Sequence, residues 1–540
     1  MIKIKSGITL VPFFLLLILC CKPQRVFSQK TKLYDLVKDF KAVPDDKTDN
    51  YLAFVKAAET ISNAGGGQLN IPKGRYYIAA YKTADVNKLY KASDIIFRNC
   101  TNLTVIGNNS VIRVNGNFTR KTDYQIPGYT HYYAYNNTVC PFKIMNCKNV
   151  LLKDLTLYGE VDKMKKLPGV AEGESYGVFI SDDEPTQISN KIVLQNITAH
   201  HFAADGFLIK SNGDDILLNK CNSYKNARQG LSIVKGRNIK VFNSSFDSTG
   251  KTGAYGWHAP GAGIDVENEF GAGMLNNVLI RNCNLRGNNG FQIVTTLSSN
   301  KVIIDSCFIS DLTAGYSDAL NGVGMYSLNS TLSNSILFAG IQVDIADQIY
   351  KGPSVQEINK NIIYSGNRGI VSADFGRPVN VTDNIFVMLP KPQLDTYFPY
   401  IQNYNCVFNR NIVVVQAARI KHEPNQVTAL VQSAKEAIED FWLVNGYDVP
   451  LEKQRANYFL PATNGTKIVR DHFFGYSDVV SRYNFSKTHF ITNTQVRAIL
   501  DTELFTAYRQ TSFNRKYLLQ AGTVQNYTRS IVAAAKKNSN

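Results

Sequence analysis

Seven short apolar strands in this chain open on a glycine: "GVFIS" at Gly177, "GFLIK" at Gly206, "GLSIV" at Gly230, "GIDVE" at Gly263, "GFQIV" at Gly290, "GIQVD" at Gly340 and "GIVSA" at Gly369. Successive glycines are 29, 24, 33, 27, 50 and 29 residues apart, and the gap of 50 has room for one more coil around "GVGMY" at Gly322. Self-similarity at such periods marks a solenoid, and irregular periods mark loops inserted on one side. Strands of a second kind lie between the glycines: "NVLLKDLTLYG", "NKIVLQNITAHH", "DDILLNKCNSYKN", "NIKVFNSSFDST", "NVLIRNCNLRGN" and "KVIIDSCFISDL", continued by "NVTDNIFVM" and "NCVFNRNIVVV". Two or three strands fit each period, and no helix-period run separates them. The pattern predicts an all-β fold, a single-stranded right-handed parallel β-helix, in which each coil buries its face against the coils beside it.

Stacking the coils accounts for cysteine as well. The chain has nine cysteines, seven of them after Cys21. An odd number does not read as a disulfide framework. Aligned strands put Cys221, Ser244, Cys283 and Cys307 at one inward position, a ladder of small reduced core side chains. A metal site there lacks His or carboxylate ligands. The solenoid's open ends need covers. At the N-terminal end, "DNYLAFVKAAETISNAGGG" carries a helical apolar stripe of Phe54, Ala57, Ala58 and Ile61 that stops at Gly65. The β pattern fades after about Lys421, and "NQVTALVQSAKEAIEDFWLVNGY" predicts an amphipathic helix. The expected organisation is a leader over 1–28, the β-helix over 29–423 and a helical or mixed extension over 424–540.

The leader reading rests on Lys3 and Lys5 followed by an apolar run from Leu10 to Cys21, too short for a membrane span. Cleavage after Ser28 and a lipid anchor at Cys20 or Cys21 are the two ends open to it. The expected product is a monomer, secreted or at the periplasmic or outer surface of a bacterium. The net charge is +16, and residues 1–28 carry four of the basic residues and no acid. A basic exported protein points to an acidic partner such as an anionic polysaccharide, although many exported proteins are basic without one. Finger spacing, a basic helix and RNP-like strands are all missing, which argues against nucleic acid.

With "AGGGQLNIPKGRYYI" opening the strand ladder and "NC" and "NS" recurring at its turns, residues 32–420 resemble the pectin-lyase-like right-handed β-helix superfamily. The resemblance implies action on polysaccharides, usually anionic ones, and does not fix the chemistry. Subfamily signatures do not follow. "SNGDDI" supplies Asp214 and Asp215 in the manner of a polygalacturonase, but no G-H-G follows, and both acids sit where a local turn role suffices. Iota-carrageenases carry a Glu-x-Asp pair on one strand; here the order is reversed, Asp265-x-Glu267.

Alternation along the glycine-led strands sends Ile264 and Val266 inward and Asp265 and Glu267 outward. The neighbouring outward pairs are Leu208/Lys210, Ser232/Val234 and Gln292/Val294, preceded by Asp205, by Arg228–Gln229 and by Asn288–Asn289. The loop "GKTGAYGWHAPGAG" adds Tyr255, Trp257 and His258, and "DYQIPGYTHYYAYNN" adds further tyrosines; rings beside polar strands suit sugars. Two carboxylates on one strand face would lie about 5.5–9 Å apart, which spans retaining and inverting glycoside hydrolysis. The expected catalytic set is Asp265 and Glu267 with His258 assisting; the substrate-binding set is Arg228, Lys210, Gln292, Trp257 and Tyr255, with no cofactor. The plainer alternative is an acidic pair offsetting its basic neighbours. A polysaccharide lyase is the rival enzyme, using Arg228 or Lys210 as base or neutraliser and Asp265 and Glu267 as Ca²⁺ ligands. A glycan-binding β-helix without catalysis is the third reading.

Overall fold

The computed structural model describes residues 31–79, 94–115, 123–125, 132–134, 139–164, 175–182, 187–268, 275–296, 299–311, 322–343, 354–365, 368–372, 378–388, 398–401, 406–409, 411–415, 436–438, 441–444, 467–469 and 472–475. The leader, the anchor cysteines and most of 416–540 lie outside these residues.

Every coil lays its strands parallel on those of the coil before. The result is one 36-stranded sheet wound on itself, beside a small antiparallel pair, Asp123–Gln125 with Tyr132–Ala134. This is the right-handed parallel β-helix. Three strand stacks form its walls. One holds the glycine-led strands, including Val178–Ser181, Ile264–Val266, Ile293–Thr295, Val323–Met325 and Ile341–Val343. A second runs through Leu275–Arg281, Asn300–Asp305 and Thr331–Ser333, and a third through Asn222–Tyr224, Ser245–Asp247, Asn284–Arg286 and Phe308–Ser310. The coil expected inside the 50-residue gap is Val323–Met325, paired with Ile293–Thr295 before it and Ile341–Val343 after it.

Glycine opens these strands because a side chain has no room there. A Cβ on Gly230 would stand 2.5 Å from the Gly263 carbonyl oxygen, and one on Gly177 2.6 Å from that of Gly206. The turn between the second and third walls sets the register. In successive coils Lys220, Asn243, Asn282, Ser306, Asn334, Lys360 and Asp383 all have φ between +51° and +58°. That is the left-handed region, where Asn and Asp are the most tolerated side chains. The residue after each turns inward and caps its neighbour. Cys221 N–H donates to Ser244 Oγ at 3.0 Å, Cys307 N–H to Ser335 Oγ at 3.0 Å and Ser335 N–H to Asn361 Oδ1 at 2.9 Å. Asn361 N–H then donates to Asn384 Oδ1 and Asn384 N–H to Asn411 Oδ1, each at 3.0 Å. The cysteine ladder thus grades into an asparagine ladder, which satisfies the buried backbone N–H of Cys221, Cys307, Ser335, Asn361 and Asn384. Asp214 and Asp215 serve the turn that precedes the second wall: Asn238 Nδ2 donates to Asp214 Oδ1 at 2.5 Å, and Asp215 has φ +62°.

The N-terminal helix is Tyr51–Asn63. Its buried face includes Phe54, Ala57, Ala58 and Ile61, and Phe54 meets Tyr76 and Phe142 edge-on at 6.0 and 6.5 Å. Past it the chain turns through Gly66 at φ +138°, where a Cβ would fall 2.2 Å from the Thr101 carbonyl oxygen. Near the other end the chain departs from the expected helix: Glu436–Ile438 and Phe441–Val444 are strands, paired with Cys406–Asn409 and Ile412–Val415. An exposed stack of parallel strands offers a full row of backbone partners to any β-tolerant segment, and "FWLV" takes that offer over its helical period.

Asn384 accepts from Asn361 through Oδ1 and donates from Nδ2 to the Ile358 carbonyl at 2.9 Å and to Asn411 Oδ1 at 3.0 Å. Asn384→Leu strips these bonds from a fully buried site. It is expected to cost about 2–4 kcal/mol and to lower the thermal midpoint, whereas the same change at the exposed Asn63 of the N-terminal helix moves it little.

Candidate functional site

Asp265 stands in register with Ser232 on the preceding coil and with Val294 on the following one. Its neighbourhood is therefore polar on one side and apolar on the other. Asp205 and Gln229 are in register one coil apart, and each directly precedes a strand-opening glycine. The bare glycine lets the coils close up, so the side chain before it is drawn in over the same spot.

The polar side is one continuous network. Arg228 holds Asp205 bidentately, Nε to Oδ1 at 2.8 Å and Nη2 to Oδ2 at 2.6 Å. Ser232 Oγ lies 2.8 Å from Asp205 Oδ2 and also contacts Gln229 Oε1. Gln229 Nε2 donates to Asp265 Oδ2 at 2.6 Å. Asp205 is 0% exposed and Asp265 2%, whereas Glu267 is half-buried. Asp265 Oδ1 has no hydrogen-bond partner among the described residues. Burial, then the charge of Glu267, pushes the Asp265 carboxyl well above the usual carboxylate range; the Gln229 amide and Arg228 pull the other way. The pair therefore resists double ionisation.

The other expected site residues fall in several places. Gln292 differs from the outward position expected of it. The strand after Gly290 slips by two, so that Ile293 aligns with Ile264 and Val294 with Asp265. Gln292 is 0% exposed and accepts from Asn288 N and Nδ2 at 3.2 and 2.9 Å, a loop brace. Lys210 is half-buried, and a one-residue slip after Ile209 pairs it with Lys235 in register. Tyr255 is 1% exposed, packed with Val161, Met164, Ala203 and Ala227 in a small cluster outside the tube. Its ring is therefore interior to the loop and unavailable for stacking on a sugar. His258 is buried against it, rings edge-on at 5.6 Å, with its backbone N–H on the Ala227 carbonyl at 2.9 Å. Trp257 is the exposed aromatic of the loop at 46%, seated against Gly250 and Gly261. The side chains of "DYQIPGYTHYYAYNN" lie outside the described residues.

Asp205, Gln229 and Ser232 were visible as neighbours of the acidic pair and not as its partners. The available signal was position: Asp205 and Gln229 each directly precede an opening glycine, and Ser232, like Asp265, lies two residues after one. Ca²⁺ fits the set poorly. It takes six to eight oxygens, whereas Asp265 Oδ2 already accepts an amide N–H and no group of three or more His, Cys, Asp or Glu side chains among the described residues is placed to hold a metal ion. No helix among the described residues is long and apolar enough to cross a membrane.

No family model matches the chain, and no curated protein matches it either. Solved structures share its coiled architecture. The A-module of the Azotobacter vinelandii mannuronan C-5 epimerase AlgE4 is 12% identical over 82% of this chain and 96% of its own, with a TM-score of 0.40. The Streptococcus pneumoniae surface protein and adhesin PfbA is 12% identical over 82% and 98%, with a TM-score of 0.43. The catalytic unit of a GH87 alpha-1,3-glucanase from Streptomyces thermodiastaticus is 14% identical over 83% and 69%, with a TM-score of 0.39. Likeness at this level carries no argument about chemistry.

Because the Asp265 carboxyl binds its proton more tightly in the fold than in the unfolded chain, the stability it contributes is full below its unfolded pKa, about 3.9, and is lost as pH rises through the folded value. Asp265→Asn removes that loss. Its melting temperature is expected to gain on the wild type as pH is raised from about 4 to 9, and parallel profiles would refute the assignment.

Proposed function

We propose that this is an exported enzyme that hydrolyses an anionic polysaccharide through Asp265 and Glu267. One observation carries the reading: a buried carboxyl favoured in its protonated form, with one oxygen held by an amide and the other without a hydrogen-bond partner among the described residues, lies two residues before a half-exposed carboxyl group just past the end of the same strand. Groups whose environments push their pKa values apart divide acid and base roles between them. Asp265 is the acid; its carboxyl is covered in the free protein, so substrate binding has to uncover Oδ1 before its proton passes to the glycosidic oxygen. Glu267 takes the partner role, drawing a proton from water as it attacks the sugar carbon or stabilising the positive charge that develops there. Trp257 offers an open ring face for a sugar. The excess of basic residues favours an anionic chain.

Elimination is less well supported. Its base or neutraliser was to be Arg228 or Lys210, and Arg228 commits Nε and Nη2 to Asp205.

The test is residues 29–540 on a panel of carrageenans, fucans, ulvan, alginate, pectins and chondroitin, with reducing ends and ultraviolet absorbance followed together. New reducing ends without absorbance are expected, and Asp265→Asn and Glu267→Gln should each lower kcat by about 10²–10⁴. Absorbance rising with reducing ends would replace hydrolysis by elimination, and tight binding without either would replace it by recognition alone.

A further inference from the structure

The network beneath Asp265 has one proton fewer than its contacts require. Ser232 Oγ carries a single hydroxyl hydrogen. It faces two acceptors, Asp205 Oδ2 at 2.8 Å and Gln229 Oε1. Asp205 already draws on Arg228 and accepts only. All four side chains in the line, Asp205, Ser232, Gln229 and Asp265, are between 0% and 3% exposed, so bulk water does not arbitrate. The two ends of a glutamine amide differ by their hydrogens, and hydrogen bonding alone decides which end points where.

Two arrangements satisfy the count. In the first, Ser232 gives its hydrogen to Gln229 Oε1 and leaves Asp205 to Arg228. Gln229 then donates from Nε2 to Asp265 Oδ2, and any proton on Asp265 sits on Oδ1, the oxygen without a hydrogen-bond partner among the described residues. In the second, Ser232 gives its hydrogen to Asp205. Gln229 must then turn over, donating from Nε2 to Ser232 Oγ and accepting at Oε1 a proton held on Asp265 Oδ2. Only the first arrangement tolerates an ionised Asp265, because the second would set the amide oxygen against a carboxylate.

We propose that Gln229 and Ser232 form a two-position relay that sets which oxygen of Asp265 carries the proton, with Asp205 as its fixed end. The first position is the armed state and the second the stored state; passing between them takes one amide turn, one hydroxyl rotation and a half-turn of the Asp265 carboxyl group that carries its proton from the open side to the Gln229 side, and moves no net charge. Gln229 and Ser232 are positioning residues, since they act through Asp265. The charged groups that bear on Asp265 are Glu267 on its own strand, and Arg228 and Asp205 from the coils before it; the following coil presents Val294. This inference rests on Asp265 as the acid of the site and says how that acid is held.

The test needs no turnover, so failure of polysaccharide cleavage and failure of the relay are separate outcomes. The full chain is labelled with carboxyl-¹³C aspartate, Asp265 is assigned by its loss in Asp265→Asn, and its titration is followed in two variants that alter no charge. Ser232→Ala frees Gln229 to donate without competition from Asp205, so the ionised form gains and proton affinity falls about tenfold. Gln229→Met removes the amide that donates to the ionised form, so proton affinity rises. Opposite shifts support the relay. No shift, or shifts of the same sign, would overturn it; if one variant does not fold, the direction of the other decides. A neutron structure on each side of the titration adds a direct readout: the same Gln229 orientation at both pH values also overturns it.

Discussion

Backbone hydrogen bonding between coils is the constraint everything else answers to. Within a coil a strand has no partner; its donors and acceptors are met only by the coil before and the coil after. Every coil must therefore present its strands at the same height and phase as its neighbours, and the turns must keep that phase. The left-handed residue that recurs from Lys220 to Asp383 does so by geometry, and the side chain after it does so by chemistry. Loops meet this duty at only a few points: the insertion at 248–262 is tied to its neighbouring coils through Gly250 N–H on the Asn226 carbonyl and His258 N–H on the Ala227 carbonyl.

The same constraint explains where carboxylates come to be buried. An outward side chain on a wall strand is normally solvated. Where glycine lets successive coils approach, the residue before it is pressed against its neighbour's side chain instead. Asp205 is stripped of water there and recovers its solvation from a bidentate guanidinium and a hydroxyl. Asp265 recovers less, a single amide donor, and is left with a neighbouring negative charge. Uncompensated burial of this kind is a cost a fold retains where the neutral acid has a use.

Much of the architecture was legible because a solenoid writes its rule many times. The inward alternation of Ile264 and Val266, the ladder of Cys221, Ser244, Cys283 and Cys307, and the hidden coil at Val323–Met325 all follow from superimposing one repeat on the next. What escaped was whatever breaks the repeat. Gln292 follows a glycine as Asp265 does, yet a two-residue slip, closed by its bonds to Asn288, takes it out of the column. Lys210 is displaced by a slip of one. Tyr255 reads as a loop aromatic, and its burial depends on Val161 and Ala203, far apart in sequence. The strands at 436–444 read as helix because local periodicity cannot register a template waiting in space. Alternation sent Asp265 and Glu267 outward together; that Asp265 is buried and Glu267 only half-buried was not legible, since depth is a property of the neighbouring coils.

The ladder of buried turn residues has a direction. Along it, the backbone N–H of Cys221, Cys307, Ser335, Asn361 and Asn384 looks forward, to an acceptor supplied by a coil not yet reached in the chain. A chain emerging from its N-terminus therefore always ends in one coil whose inner donor has nothing to bond. Growth of the folded tube is vectorial: each new coil completes its predecessor and inherits the same debt. A break anywhere along these rungs leaves the N-terminal fragment, rather than the C-terminal one, with the orphaned donor.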